Sequence, residues 1–168
     1  MRRTLSLAGI IVTALLLQST VFSQIRLLGA KPELVYLVVV LIAFLEGPSE
    51  GAIIGFAGGM AQDFLLNQPK GITALTLTIL GYTIGLSRQY IVSPSPLLPT
   101  MLVAFGTFGG VVFHEIVSFL LGVGQIDIGY LLKTALLSSI YGALLTPLAY
   151  PLIRRVAEGS RPRRVVRF

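Results

Sequence analysis

The sequence contains no cysteine and no tryptophan, has a single histidine, and is only 12% charged. The missing cysteine excludes disulfides, thiolate metal sites and cysteine nucleophiles. The scarcity of charge excludes more. Soluble domains are about one-quarter charged, so a chain with half that share cannot clothe a water-soluble globule. Its 54% hydrophobic residues and mean hydropathy of +0.86 point the same way. The composition is that of a membrane protein. A membrane-spanning helix takes about 20 mostly apolar residues, so 168 residues leave nothing for a separate soluble catalytic domain. One integral membrane domain over 1–168 is expected, and the pI of about 10.1 does not signify nucleic-acid binding in such a chain.

Apolar runs bounded by charge, glycine or proline predict an all-α, polytopic membrane bundle of about six helices, at 5–22, 34–45, 51–66, 72–86, 97–121 and 130–153, followed by a basic tail over 154–168. Closed strand barrels alternate apolar and polar residues, whereas these runs are continuous. The first segment resembles a secretion signal, but no lipobox cysteine follows it and the charge topology needs it as a retained span. Pro32 suits a helix start and Gly47-Pro48 a helix stop. The second and third runs are short for a bilayer, so this hairpin is expected to be thin, tilted or shielded by partners.

Six spans place both termini on one side. That side then holds Arg2, Arg3, Arg88, Arg154, Arg155, Arg161, Arg163, Arg164 and Arg167, against Arg26, Lys31, Lys70 and Lys133 on the other. The excess of basic residues on cytoplasmic loops places both termini in the cytoplasm. Arg154-Arg155 reads as a basic stop, and the tail as a segment attracted to the lipid bilayer's anionic headgroups.

Gly51, Gly55 and Gly59 recur at every fourth position, with Asp63 continuing the row and Phe56 beside it. Within lipid, close backbone approach through small residues is a main source of helix adhesion. This face is expected to pack on another helix of the chain or, alternatively, on a partner, whose juxtamembrane segment Asp63 would anchor. Gly81 and Gly85, and Gly106 and Gly110, repeat the spacing.

Ionisable groups at membrane depth are rarer. Asp63, a turn from its helix end, is expected to reach the interface or cap the following loop, a proton or ion relay being the alternative. His114 and Glu115 sit well inside the fifth span, where neighbouring positions point about 100° apart, so at least one faces inward. A buried polar pair is the expectation; a transport site is the sharper alternative. With one histidine, no cysteine, no ligand a turn away from His114, no nucleophile elbow and no phosphate loop, the residues supply no catalytic, cofactor or metal site.

Four stretches carry a family resemblance: Leu15-Leu16-Leu17-Gln18; Lys31-Pro32-Glu33-Leu34; Gly55-Phe56-Ala57-Gly58-Gly59-Met60-Ala61-Gln62-Asp63 with Gly71 after it; and Thr146-Pro147-Leu148-Ala149-Tyr150-Pro151-Leu152-Ile153-Arg154-Arg155. In this order they resemble the bacterial rod shape-determining MreD family. The Gly-Phe-x-x-Gly-x-x-x-Asp element is the most specific. The resemblance implies a non-catalytic scaffold of the elongation machinery that binds MreC and connects MreB filaments to peptidoglycan synthesis by RodA and its transpeptidase partner. It also implies a fold similar to the substrate-binding subunits of energy-coupling-factor transporters. The alternative is therefore a vitamin-type binding subunit with His114 or Glu115 in its pocket. Against that alternative, the first helix lacks the Ala-x-x-x-Ala row by which such subunits dock. Glu46 and Glu50 bracket a tight turn, and the short loops imply that partners are met through membrane helices and outer helix ends.

Overall fold

The computed structural model describes residues 2–20, 33–65, 71–90, 97–125 and 127–159. Arg26, Lys31, Pro32, Lys70 and the tail arginines of the charge argument lie outside these residues. The described chain forms six α-helices: α1 (Arg2–Thr20), α2 (Leu34–Glu46), α3 (Pro48–Leu65), α4 (Ile72–Ser87), α5 (Leu98–Leu120) and α6 (Ile128–Gly159). By length and composition α5 and α6 are able to cross a membrane, and α1 and α2 are shorter apolar helices.

Local chemistry sets the breaks. Gly47 alone separates α2 from α3, with φ at +105°, a left-handed conformation that a side chain disfavours. Pro48 follows at the first position of α3, where its missing N–H is not needed. At the start of α6 the Asp127 Oδ1 accepts the N–H groups of Gly129 at 2.9 Å and Tyr130 at 3.3 Å, a side-chain N-cap.

Successive helices run antiparallel. Gln18 of α1 meets Val35 of α2, Gly58 of α3 lies against Val35 and Val39, Thr73 of α4 reaches His114 of α5, and Gly142 of α6 faces Val103. Residues Arg2 and Gly159 therefore lie at one end of the bundle, the termini end, and the last turns of α1, α3 and α5 with the first turns of α2, α4 and α6 at the far end.

The core sits around α2. A helix apolar on every side has no face to give to water and is stable only when enclosed. From Val35 to Ala43 every residue of α2 is buried, and all five other helices touch it. At 13 residues it is about 20 Å long, well under a bilayer's hydrocarbon thickness of about 30 Å. The shielding expected from partners is thus supplied by the chain's own helices.

The outer helices are apolar outside and small or hydroxylated inside. On α6, Leu136, Ile140, Leu144, Leu148 and Leu152 are exposed at every fourth position, whereas Ala135, Ser138, Ser139, Gly142 and Thr146 are buried. Two buried hydroxyls bond back to the preceding turn, Thr76 Oγ1 to the Ile72 carbonyl at 2.9 Å and Thr146 Oγ1 to that of Gly142 at 2.7 Å, so these two need no external partner. Exposed apolar surface on this scale is the surface of a protein dissolved in lipid. One boundary differs from expectation: α6 does not stop at Arg154-Arg155 but continues to Gly159, because no breaker follows Ile153 and Ala157 packs inward, buried to 1% exposure.

Candidate functional site

Small residues bring α3 and α4 into backbone contact. A Cβ added at Gly51 would fall 2.6 Å from the Ala43 side chain and against the Gly81 carbonyl. One at Gly55 would strike the Leu77 carbonyl, one at Gly59 the Ala74 backbone, and one at Gly85 the backbone of Pro48. The row of the third helix is therefore an internal seam filled by α4, and the partner helix considered for that face has no room there. Gly106 and Gly110 serve differently. They make hollows in α5 for Val40 and Tyr36 of the central helix, a Cβ at Gly110 falling 2.6 Å from the Tyr36 ring. Phe56, grouped from its place in the motif with the helix-packing or partner-binding residues, points outward and is 55% exposed.

Asp63 ends this seam. It is fully buried, and its Oδ2 accepts the backbone N–H of Gly71 at 2.8 Å and of Ala74 at 3.4 Å. These are orphan donors at the start of α4, so the carboxylate of one helix caps the next one across the connecting loop. Full burial removes Asp63 from any partner's juxtamembrane segment.

A polar layer extends from Asp63 across the far end. Glu33 Oε2 accepts Gln18 Nε2 from α1 and Gln62 Nε2 from α3, each at 3.2 Å, while Gln18 Oε1 accepts the Val35 N–H at 3.2 Å. One carboxylate thus ties three helices together at the point where the central helix begins. Beyond it, Thr73 Oγ1 lies 3.4 Å from His114 Nε2, and His114 Nδ1 lies 3.8 Å from Glu115 Oε1. The buried pair expected at 114 and 115 is half-buried, with side-chain exposures of 20% and 40%. His114 leans on α4, and the adjacent Glu115 is turned toward the rim. A cleft of about 20 Å³ beside Glu115 and Asp127 has room for roughly one water molecule.

Gln18, Glu33 and Gln62 were not singled out as a unit in the sequence. The available signal was the placement of each within a turn of one end of an apolar run; their convergence is tertiary. No group of three or more His, Asp or Glu side chains able to hold a metal ion occurs among the described residues.

Along α1 the bundle is less tightly closed. A cavity of about 550 Å³ opens between α1, α2 and α6, lined by apolar and small side chains, with Ser6 and Thr13 its polar members.

Against this geometry, the profile of the family described as rod shape-determining protein MreD matches residues 1–156. The chain belongs to the MreD family. No curated protein matches it, and no solved structure does. As an MreD-family protein it is a polytopic membrane protein of rod-shape determination and a member of a shape-determining complex, from a family that is generally non-catalytic. The Gly-Phe-x-x-Gly-x-x-x-Asp element in the matched region builds the α3–α4 seam and its terminal cap rather than an open site.

Proposed function

We propose that this MreD-family chain is a non-catalytic inner-membrane scaffold subunit of the rod-shape elongation complex. In this reading it binds MreC directly and helps couple MreB filaments to peptidoglycan synthesis by RodA and its transpeptidase partner. All six helices cross the bilayer and both termini are cytoplasmic. One observation carries the reading. Among the described residues, Gln18, Glu33, Gln62 and Asp63 of the far end bond to one another or to helix termini, and the cleft beside Glu115 and Asp127 has room for roughly one water molecule. The chain's free surface is apolar helix face, which is suited to holding other membrane segments. The basic residues at the termini end support the orientation.

Co-purification in mild detergent tests the assignment. MreC is expected to co-elute with the tagged chain, and photo-crosslinkers on the outward faces of α5 and α6 are expected to capture it. Failure to recover MreC with the wild type and with every crosslinkable variant would count against the scaffold role. Reporter fusions after Phe168 test the orientation, which an active extracytoplasmic reporter there would overturn.

A further inference from the structure

We infer that the outward face of α3 and α4 thins the bilayer beside it and is bordered by phospholipids of shorter acyl chain than those around α5 and α6. The inference rests on the reading above that all six helices cross the membrane. It starts from lengths. On α3 the exposed apolar side chains run from Ile53 to Leu65, about 18 Å at 1.5 Å per residue. Those of α4, from Leu75 to Tyr82, stand within the same height, because Ala74 meets Gly59 and Gly81 meets Gly51 across the seam. On the other side they run from Met101 to Leu120 on α5, about 29 Å, and from Ile128 to Leu152 on α6, about 36 Å along the helix. A hydrocarbon layer of about 30 Å fits the α5–α6 side and exceeds the α3–α4 side by roughly 12 Å.

The short side has no way to lengthen itself. α3 has 18 residues and α4 has 16, against 23 in α5 and 32 in α6. Toward the termini end the apolar band gives way to Ser49 and Glu50 on α3 and to the exposed Arg88 and Gln89 after α4. Tilting accommodates a span that is too long and makes a short one shorter. Sliding is blocked, since Gly55 and Gly59 of α3 sit against the backbone of Leu77 and Ala74. The adjustment left is a thinner bilayer.

The surface chemistry selects lipid over a protein helix. Membrane helices dock where small residues let backbones approach. Gly51, Gly55, Gly58, Gly59, Gly81 and Gly85 are all the glycines of α3 and α4, and each is packed against another helix of the bundle. Ile53, Phe56, Phe64, Leu75, Ile79 and Tyr82 are exposed instead, and all are bulky. A partner helix of ordinary span would also overhang this face by the same roughly 12 Å. Acyl chains conform to a bulky, short surface because they are flexible and come in several lengths.

The chain has no tryptophan, so a single introduced one reports its own surroundings. Phe56→Trp places it on the short face and Leu144→Trp on the long one, both at exposed positions. Each full-length variant is reconstituted in mixed vesicles of dimyristoleoyl- and dierucoyl-phosphatidylcholine with one or the other lipid brominated, and tryptophan quenching reads which lipid borders each face. At Phe56→Trp the shorter lipid is expected to be favoured by about fivefold, with no such preference at Leu144→Trp. Should Phe56→Trp fail to fold, Ile79→Trp reports the same face. The same chain-length preference at both positions overturns the thinning and leaves the six-span reading standing. Blue-shifted emission that neither lipid quenches means that a second copy or another protein covers the short face, and it also overturns the proposal. Emission typical of water-exposed tryptophan, quenched by iodide, overturns the six-span reading together with it.

Discussion

The Asp63 carboxylate accepts the Gly71 backbone N–H at 2.8 Å, joining the end of α3 to the start of α4. A fully buried carboxylate within a membrane bundle is costly unless it is hydrogen-bonded. Here the donors are backbone N–H groups at a helix N-terminus, where the aligned peptide dipoles also favour negative charge. The cap and the glycine seam act on the same two helices. The seam brings the backbones into contact along their length, and the cap fixes their register at one end.

Replacing Asp63 separates hydrogen bonding from charge. Asp63→Ala is expected to destabilise the protein by about 2 kcal/mol, through the lost cap and the N–H groups left unpaired. Asp63→Asn keeps an acceptor oxygen and should cost less than about 1 kcal/mol. Unfolding in mixed micelles measures both. An Asn variant as damaged as the Ala variant would show that the charge, and not the cap, is what matters.

The seam predicts a steep dependence on a single methyl group. Overpacking typically costs about 1–3 kcal/mol, and Gly55→Ala is expected at the top of that range or above because its neighbour is rigid backbone. Gly59→Leu should prevent recovery of folded protein altogether. Gly109→Ala, which meets nothing, should leave the thermal transition unchanged.

The hollow at Gly110 belongs to Tyr36, so the two substitutions should be coupled. Gly110→Ala alone is expected to destabilise, since the Tyr36 ring is buried and has nowhere to move. Tyr36→Leu made in the same chain should recover part of that loss, giving a coupling energy of about 0.5–3 kcal/mol in a double-mutant cycle. Strict additivity of the two changes would mean that the ring does not occupy the hollow.

Glu33 should behave as a knot. Glu33→Ala removes the acceptor shared by Gln18 and Gln62, with an expected loss of about 1–3 kcal/mol for stranded buried amides. Glu33→Gln retains one acceptor oxygen and should lose less. Hydrogen exchange should show α1 loosening first in the Ala variant, because α1 touches its neighbours least of the six helices and this link and the Gln18–Val35 bond tie down its end.

Legibility in the sequence followed physical range. The apolar runs, the Gly47-Pro48 break and the four-residue rows of glycine are local patterns, and the helices and small faces of the structure lie where those patterns stand. Gly51, Gly55 and Gly59 declare a bare face without declaring what fills it, and α4 does. The helix end expected at Ile153 lies instead at Gly159, because basic residues such as Arg154 and Arg155 signal the end of the hydrocarbon layer, not the end of a helix. The meeting of Gln18, Glu33 and Gln62 was invisible, since residues 15 and 29 positions apart converge only after three helices have packed.

By itself the sequence determined the solvent, the helical class and the small-residue faces, because each depends on composition or on a spacing within one helix. The tertiary structure alone decided that α2 is the enclosed centre, that Asp63 faces inward as a cap, that His114 and Glu115 part toward α4 and the rim, and that a groove stays open between α1 and α6. Those outcomes depend on which helix lies beside which. In a medium as apolar as the side chains themselves, that choice rests on close fit and a few hydrogen bonds, neither of which a one-dimensional pattern records.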